Sequence, residues 1–161
     1  MRTVAIIVAA GRGTRMGGSR SKIALPIAGL AMLIRAVRAF ASHPRIDDLI
    51  VVGNPREVER ILGPEMSAAV TIVPGGERRQ DSVRAGLERV GEAEMVLVHD
   101  AARPLVPADV IDRVLREAAR SGAAIPGLSI DDTVKRLAAD GSVGETVPRE
   151  GLILAQTPQG F

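Results

Sequence analysis

Cysteine, tryptophan and tyrosine are absent from the 161 residues, and phenylalanine occurs twice. Without cysteine there is no disulfide, no thiolate ligand for zinc and no thiol nucleophile. That composition fits a reducing compartment, and a cytoplasmic location is expected. So few aromatic rings leave nothing for a run of bases to stack on, and there is no long basic stripe. No nucleic-acid partner is therefore expected. Long apolar runs are missing too. Residues 4–10, "VAIIVAA", fall far short of the ~20 residues that cross a bilayer. No basic segment with an apolar core and cleavage site precedes them, so no membrane partner is expected. Lysine is scarce as well: of 21 basic residues only Lys22 and Lys135 are lysine. A sequence this rich in arginine has kept a compact ammonium at two places, either for point-charge chemistry or through codon bias.

What is present is ordinary for a folded soluble domain: 46% hydrophobic and 25% charged residues, with a net charge of +2. The length predicts one domain over residues 1–161. Apolar strand-like runs alternate with amphipathic helical ones. Strands are predicted at residues 4–8, in "DDLIVVG", in "AAVTIVPGG", in "EMVLVHD" and, as a short fifth, in "AAIPGL". Helices are predicted at residues 31–41, in "NPREVERIL" behind an Asn54 cap, in "SVRAGLERV" capped by Asp81, and in "PADVIDRVLREAARSG" closed by Gly122. This alternation predicts an α/β fold, a Rossmann-like doubly wound and mostly parallel sheet with right-handed crossovers. In such sheets ligands bind beyond the carboxyl ends of the strands. The loops after the first, third and fourth strands would share that edge. After Leu128 the pattern shortens around Asp140 and Gly141, a hairpin signal, so residues 131–150 are predicted to form a protruding β-hairpin arm.

The loop after the first strand, "GRGTRMGGSRSK", combines Gly11, Gly13, Gly17 and Gly18 with Arg12, Arg15, Arg20 and Lys22. Glycines bring backbone N–H groups close to an anion, and a multiply charged phosphate is the natural guest. The spacing matches neither common phosphate motif. Met16 stands where the dinucleotide fingerprint has its third glycine, and no G-K-[ST] closes a P-loop. Asp100, at the end of the fourth strand, has two readings: a Mg²⁺ ligand shared with phosphate oxygens, or a helix cap or ion-pair partner of Arg103. His99 is expected to pack beneath the strand end, and His43 to lie in a surface turn. In "GGERRQDS", Gly75 and Gly76 permit close backbone approach and Ser82 offers a hydroxyl, which suits recognition of a base edge; Asp81 reads equally as a helix cap.

Taken in order, "AAGRGTRMGGSRSK", "PGGERRQDSV", "VLVHDAARP", "DDTVKR" and "TPQGF" resemble the 2-C-methyl-D-erythritol 4-phosphate cytidylyltransferase family, whose fold is the glycosyltransferase-A-like nucleotidyltransferase type. The resemblance implies transfer of a cytidylyl group from CTP to methylerythritol phosphate in non-mevalonate isoprenoid synthesis. It assigns Arg15 and Lys22 to the reacting α-phosphate and Asp100 to Mg²⁺. The nucleotide falls to Ala9, Ala10, Gly11, Gly13, Gly76, Ser82 and Ala101. Thr133 and Arg149, on the arm, would bind methylerythritol phosphate across a homodimer interface; read alone, each fits a solvated hairpin equally well. Two departures stand out. Ser21 replaces the family's usual proline before the loop lysine. The helices, second metal-binding aspartate and further lysine that follow "TPQ" in the family are missing from this sequence, so a domain incomplete at its C-terminus relative to the family is expected. Two other readings remain: another sugar-phosphate or cofactor nucleotidyltransferase, and a nucleotide-binding domain without turnover.

Overall fold

The structure is a computed structural model that describes residues 1–11 and 21–161. In sequence order, β1 is Thr3–Val8, a short 3-10 turn spans Lys22–Ala24, and β2 (Pro26–Ile27) and β3 (Leu30–Ala31) form a hairpin. Then come α1 (Met32–Ala41), β4 (Asp48–Gly53), α2 (Pro55–Ala68), β5 (Thr71–Pro74), α3 (Arg79–Leu87), β6 (Met95–Asp100) and α4 (Ala108–Ser121). The remainder is β7 (Gly127–Leu128), β8 (Val134–Leu137), β9 (Val143–Val147), β10 (Leu154–Ala155) and β11 (Gln159–Gly160). Among the described residues no helix is long and apolar enough to cross a membrane.

The central sheet runs in the order β11-β6-β1-β4-β5, with β6, β1, β4 and β5 parallel and β11 antiparallel to β6. The predicted mostly parallel, doubly wound sheet is therefore the observed one. Its strands are apolar on both sides, as a parallel sheet covered by helices on both faces requires. Period-two alternation sorts them. Ala5, Ile7, Leu49, Val51, Met95 and Leu97 meet α1, α2 and α4 on one face. Val4, Ile6, Ile50, Val52 and Val98 meet α3 on the other. Gly86 lets α3 lie close, because a Cβ there would come within 2.7 Å of Ile6 Cγ2. Phe40, Leu33, Leu97 and Leu115 are fully buried, and each such side chain contributes about 1.5–3 kcal/mol of transfer free energy.

Local signals set the helix ends. Asn54 accepts a hydrogen bond from Glu57 N at 3.2 Å, and Pro55 supplies a preset φ at the first helical position of α2. That helix breaks at Gly63 (φ 74°, ψ 172°), then resumes through Pro64 to Ala68, beyond the predicted end at Leu62. Gly122, at φ 86°, ends α4 in the left-handed region.

Three expectations are corrected. Residues 123–128 do not supply a fifth strand of the central sheet. Pro126 cannot donate to a ladder, and the edge is taken by β11, where Ala124 adds only an isolated bridge to Gly160. The glycine matters there: a Cβ on Gly160 would lie 2.9 Å from Val114 Cγ1 of α4. Gly127 and Leu128 pair instead with β10, in a separate antiparallel ladder. Asp81 does not cap α3 from outside. The helix begins at Arg79, and Asp81, inside its first turn, reaches back to accept from Arg78 N at 3.1 Å. His43 is not at the surface. It is 4% exposed, with Nε2 3.6 Å from Asp112 of α4.

The predicted hairpin is present. Strands β8 and β9 pair antiparallel, Gly141 turns at φ 83°, and Asp140 accepts from Ser142 N at 2.9 Å. Leu137 and Val143 face outward, 65% and 69% exposed.

Candidate active site at the carboxyl edge of the sheet

The loops leaving β1, β4, β5 and β6 meet at one edge and are knitted together by backbone hydrogen bonds. Ala9 N donates to Val52 O at 2.7 Å, Ala101 N to Val8 O at 3.0 Å and Gly75 N to Gly53 O at 3.2 Å. Glycine is required where the loops touch: a Cβ on Gly75 would sit 2.2 Å from Ala10 Cβ, and one on Gly76 would sit 2.4 Å from Asp81 Cβ. Ser82 is 1% exposed, and its hydroxyl is occupied within the loop. It accepts from Gly76 N at 3.1 Å and donates to Arg78 O at 3.4 Å, so it shapes the turn. Ala9, Ala10, Gly11, Gly76, Ser82 and Ala101 are thus brought to the same edge. Ala9 and Ala101 are buried, and their N–H groups are already paired.

Lys22 opens the short turn that follows, half-buried, and its neighbour Ile23 is anchored in the core at 4% exposure. Gly13 and Arg15 lie outside the described residues. Thr133 and Arg149 are at the base of the arm, where the Arg149 guanidinium donates to the Asp131 carbonyl. Among the described residues, no hydrogen bond or ion pair joins them to the sheet edge.

Asp100 lies on that edge at the end of β6. Arg79 Nε donates to its Oδ1 at 2.9 Å, and Arg103 Nε lies 3.7 Å from its Oδ2. The two arginines extend the cluster to Gln159, which accepts from Arg79 Nη2 at 3.4 Å, and to Gln156, which accepts from Arg103. The ion-pair alternative for Asp100 is therefore realised in part, and Arg79 adds a partner that its position in a charged run, "ERRQD", did not single out. Among the described residues no three metal-ligating side chains cluster. A lone carboxylate that already attracts cations fits Mg²⁺, which is usually held by one or two carboxylates with the rest supplied by phosphates and water. It does not fit an all-protein metal cage.

Beneath Asp100 runs a buried hydrogen-bond chain. Asp100 N donates to Thr157 Oγ1 at 3.2 Å, and the same hydroxyl lies 2.9 Å from His99 Nδ1. On its other side His99 Nε2 lies 2.9 Å from the Arg103 carbonyl. A carbonyl only accepts, so Nε2 carries the proton, and Nδ1 then accepts from the threonine. The ring is fully buried, as expected, and stacks at a tilt on Phe40 with centroids 4.8 Å apart. Burial pushes its pKa down from 6.5 to about 4, so the imidazole is neutral. This network ties the "HDAARP" and "TPQ" segments together across 57 residues.

The sequence model of the 2-C-methyl-D-erythritol 4-phosphate cytidylyltransferases (IspD) matches residues 3–161. A bifunctional IspD/IspF enzyme from Rhodopseudomonas palustris is 44% identical over 166 residues, covering 99% of this protein and 41% of its own length. The 2-C-methyl-D-erythritol 4-phosphate cytidylyltransferase of Streptomyces avermitilis is also 44% identical, with 99% and 70% covered. The crystal structure of the Thermus thermophilus cytidylyltransferase superposes with a TM-score of 0.79 at 35% identity, covering 100% of this protein and 70% of that one. The bifunctional IspDF of Campylobacter jejuni superposes at 0.83 with 25% identity, covering 99% and 40%. The sequence thus spans about two fifths of the bifunctional relatives and about 70% of these single-function ones. On the family match and the fold together, the chain belongs to the 2-C-methyl-D-erythritol 4-phosphate cytidylyltransferase family.

Proposed function

We propose that residues 1–161 form one nucleotidyltransferase domain, cytoplasmic, that transfers a cytidylyl group from CTP to 2-C-methyl-D-erythritol 4-phosphate and releases pyrophosphate in non-mevalonate isoprenoid synthesis. The observation that carries this reading is the family match over residues 3–161, and it is supported by Arg79, Asp100, Arg103 and Gln159, from three of the family's motifs, which meet at the sheet edge. In the reaction an acceptor phosphate oxygen forms a bond to the α-phosphorus of CTP. The bond from that phosphorus to the bridging oxygen of the β-phosphate breaks, and its electron pair leaves with pyrophosphate. The attacking oxygen is already anionic at neutral pH, so neither a general base nor a covalent nucleophile is needed. Catalysis reduces to positioning and to neutralising crowded negative charge.

The roles are those that the family resemblance implies. Arg15 and Lys22 stabilise charge at the α-phosphate. The backbone of Ala9, Ala10, Gly11, Gly13 and Ala101, with Gly76 and the turn held by Ser82, frames the nucleotide. Asp100 would hold Mg²⁺, which when bound neutralises charge on the triphosphate oxygens. Thr133 and Arg149 reach the acceptor from the arm of a second copy, Arg149 suiting a phosphate through its planar fork. The exposed Leu137 and Val143 of the arm support a homodimer. The test is pyrophosphate release with methylerythritol phosphate and each of CTP, UTP, ATP and GTP in turn. CTP is expected to be preferred. Preference for another triphosphate, or no turnover with this acceptor, overturns the reading.

A further inference from the structure

Arg79 sits at the junction of two loops that the proposed chemistry uses. It is the first residue of α3, just after Gly75 and Gly76, and its guanidinium crosses to the end of β6. There Nε donates to Asp100 Oδ1 at 2.9 Å while Nη2 reaches Gln159 at 3.4 Å. Arg103 covers the other oxygen more loosely, at 3.7 Å and from the same loop as Asp100. The carboxylate is thus already neutralised, chiefly by an arginine that belongs to the nucleotide-binding side. We infer that Arg79 and a divalent cation are alternative occupants of the Asp100 carboxylate, so that metal entry frees Arg79 to face the phosphates of the nucleotide.

The two cations compete for one group. A metal ion on Oδ1 takes the lone pairs that Arg79 Nε uses, and the two cations repel at that separation. The pair is partly solvated, with side-chain exposures of 47% for Arg79 and 29% for Asp100, so it is weak enough to exchange. The released guanidinium stays on the loop that carries Gly76. There a phosphate offers its planar fork a better partner than a single carboxylate oxygen. The inference rests on Asp100 as the metal-binding carboxylate.

The test measures Mn²⁺ binding to the full-length protein without nucleotide, from the EPR signal of the free ion. Arg79→Gln removes the competitor and is expected to bind Mn²⁺ about two- to fivefold more tightly than the parent, the range that a partly exposed ion pair supplies. Arg79→Lys keeps the charge and is expected to bind as the parent does. Asp100→Asn is expected to lose most of the binding. Damage to the fold would weaken binding, so the sign separates competition from structure. CTP affinity of Arg79→Gln, measured with Mg²⁺ present, is expected to fall. If Arg79→Gln binds Mn²⁺ no more tightly than the parent, or no more tightly than Arg79→Lys, while Asp100→Asn has lost the ion, the exchange is overturned and Asp100 stands as the ligand. If Asp100→Asn binds Mn²⁺ unchanged, both readings fall.

Discussion

His99 makes the stability of this fold depend on pH in a window where few other groups titrate. Burial lowers its pKa from 6.5 to about 4. An unfolded molecule therefore takes up a proton near pH 6.5 that the folded one refuses until about pH 4. Stability from this source is complete above 6.5 and is lost as pH falls through the interval. Between pH 7.5 and pH 5 the loss amounts to about 2 kcal/mol, which lowers Tm by about 4–8 °C for a protein of this length. The other titrating groups are shared by any variant at this position, so only the histidine's share of the slope changes. His99→Gln isolates it. The glutamine amide can still donate to the Arg103 carbonyl but cannot take up a proton. The variant is expected to be less stable at pH 7.5, because Thr157 loses its acceptor, and to lose less stability than the parent on going to pH 5. Thermal and denaturant unfolding of both proteins at the two pH values measure this. Equal losses in parent and variant would refute the buried, neutral imidazole.

Two further perturbations address the site's framework. Thr157→Val leaves Asp100 N–H and His99 Nδ1 without partners and is expected to cost about 1–3 kcal/mol in denaturant unfolding, whereas Thr157→Ser restores most of it. Gly75→Ala forces a Cβ to 2.2 Å from Ala10 Cβ and should cost about 1–3 kcal/mol. Adding Ala10→Gly removes the colliding atom and should recover part of that cost, a coupling that a double-mutant cycle reads directly.

The central sheet was legible in the sequence because β1, β4, β5 and β6 are short apolar runs closed by turn residues, and the helices carry Asn54, Pro55 and Gly122 at their ends. Local chemistry also specified the arm, through Asp140 and Gly141. What could not be read depends on distant partners. Two-residue β11 is a strand only because β6 offers an open edge and Gly160 lets α4 approach. His43 is buried although its flank reads as polar turn, and its ring meets Asp112, 69 residues away. At the site, Asp100 and the glycines stood out because strand ends mark the ligand edge of a parallel sheet. Arg79 did not, since within "ERRQD" it reads as one more solvated charge. Thr157 needed the structure, because its partners lie 57 and 58 residues away.

The proposed transfer of a nucleotidyl group depends on cations at this sheet edge. Lys22→Ala tests it most directly, through kcat for pyrophosphate release at saturating CTP and methylerythritol phosphate. A fall in kcat of about 10²-fold or more is expected, with the folded state unchanged by circular dichroism. A variant that turns over at the parent's rate would contradict it.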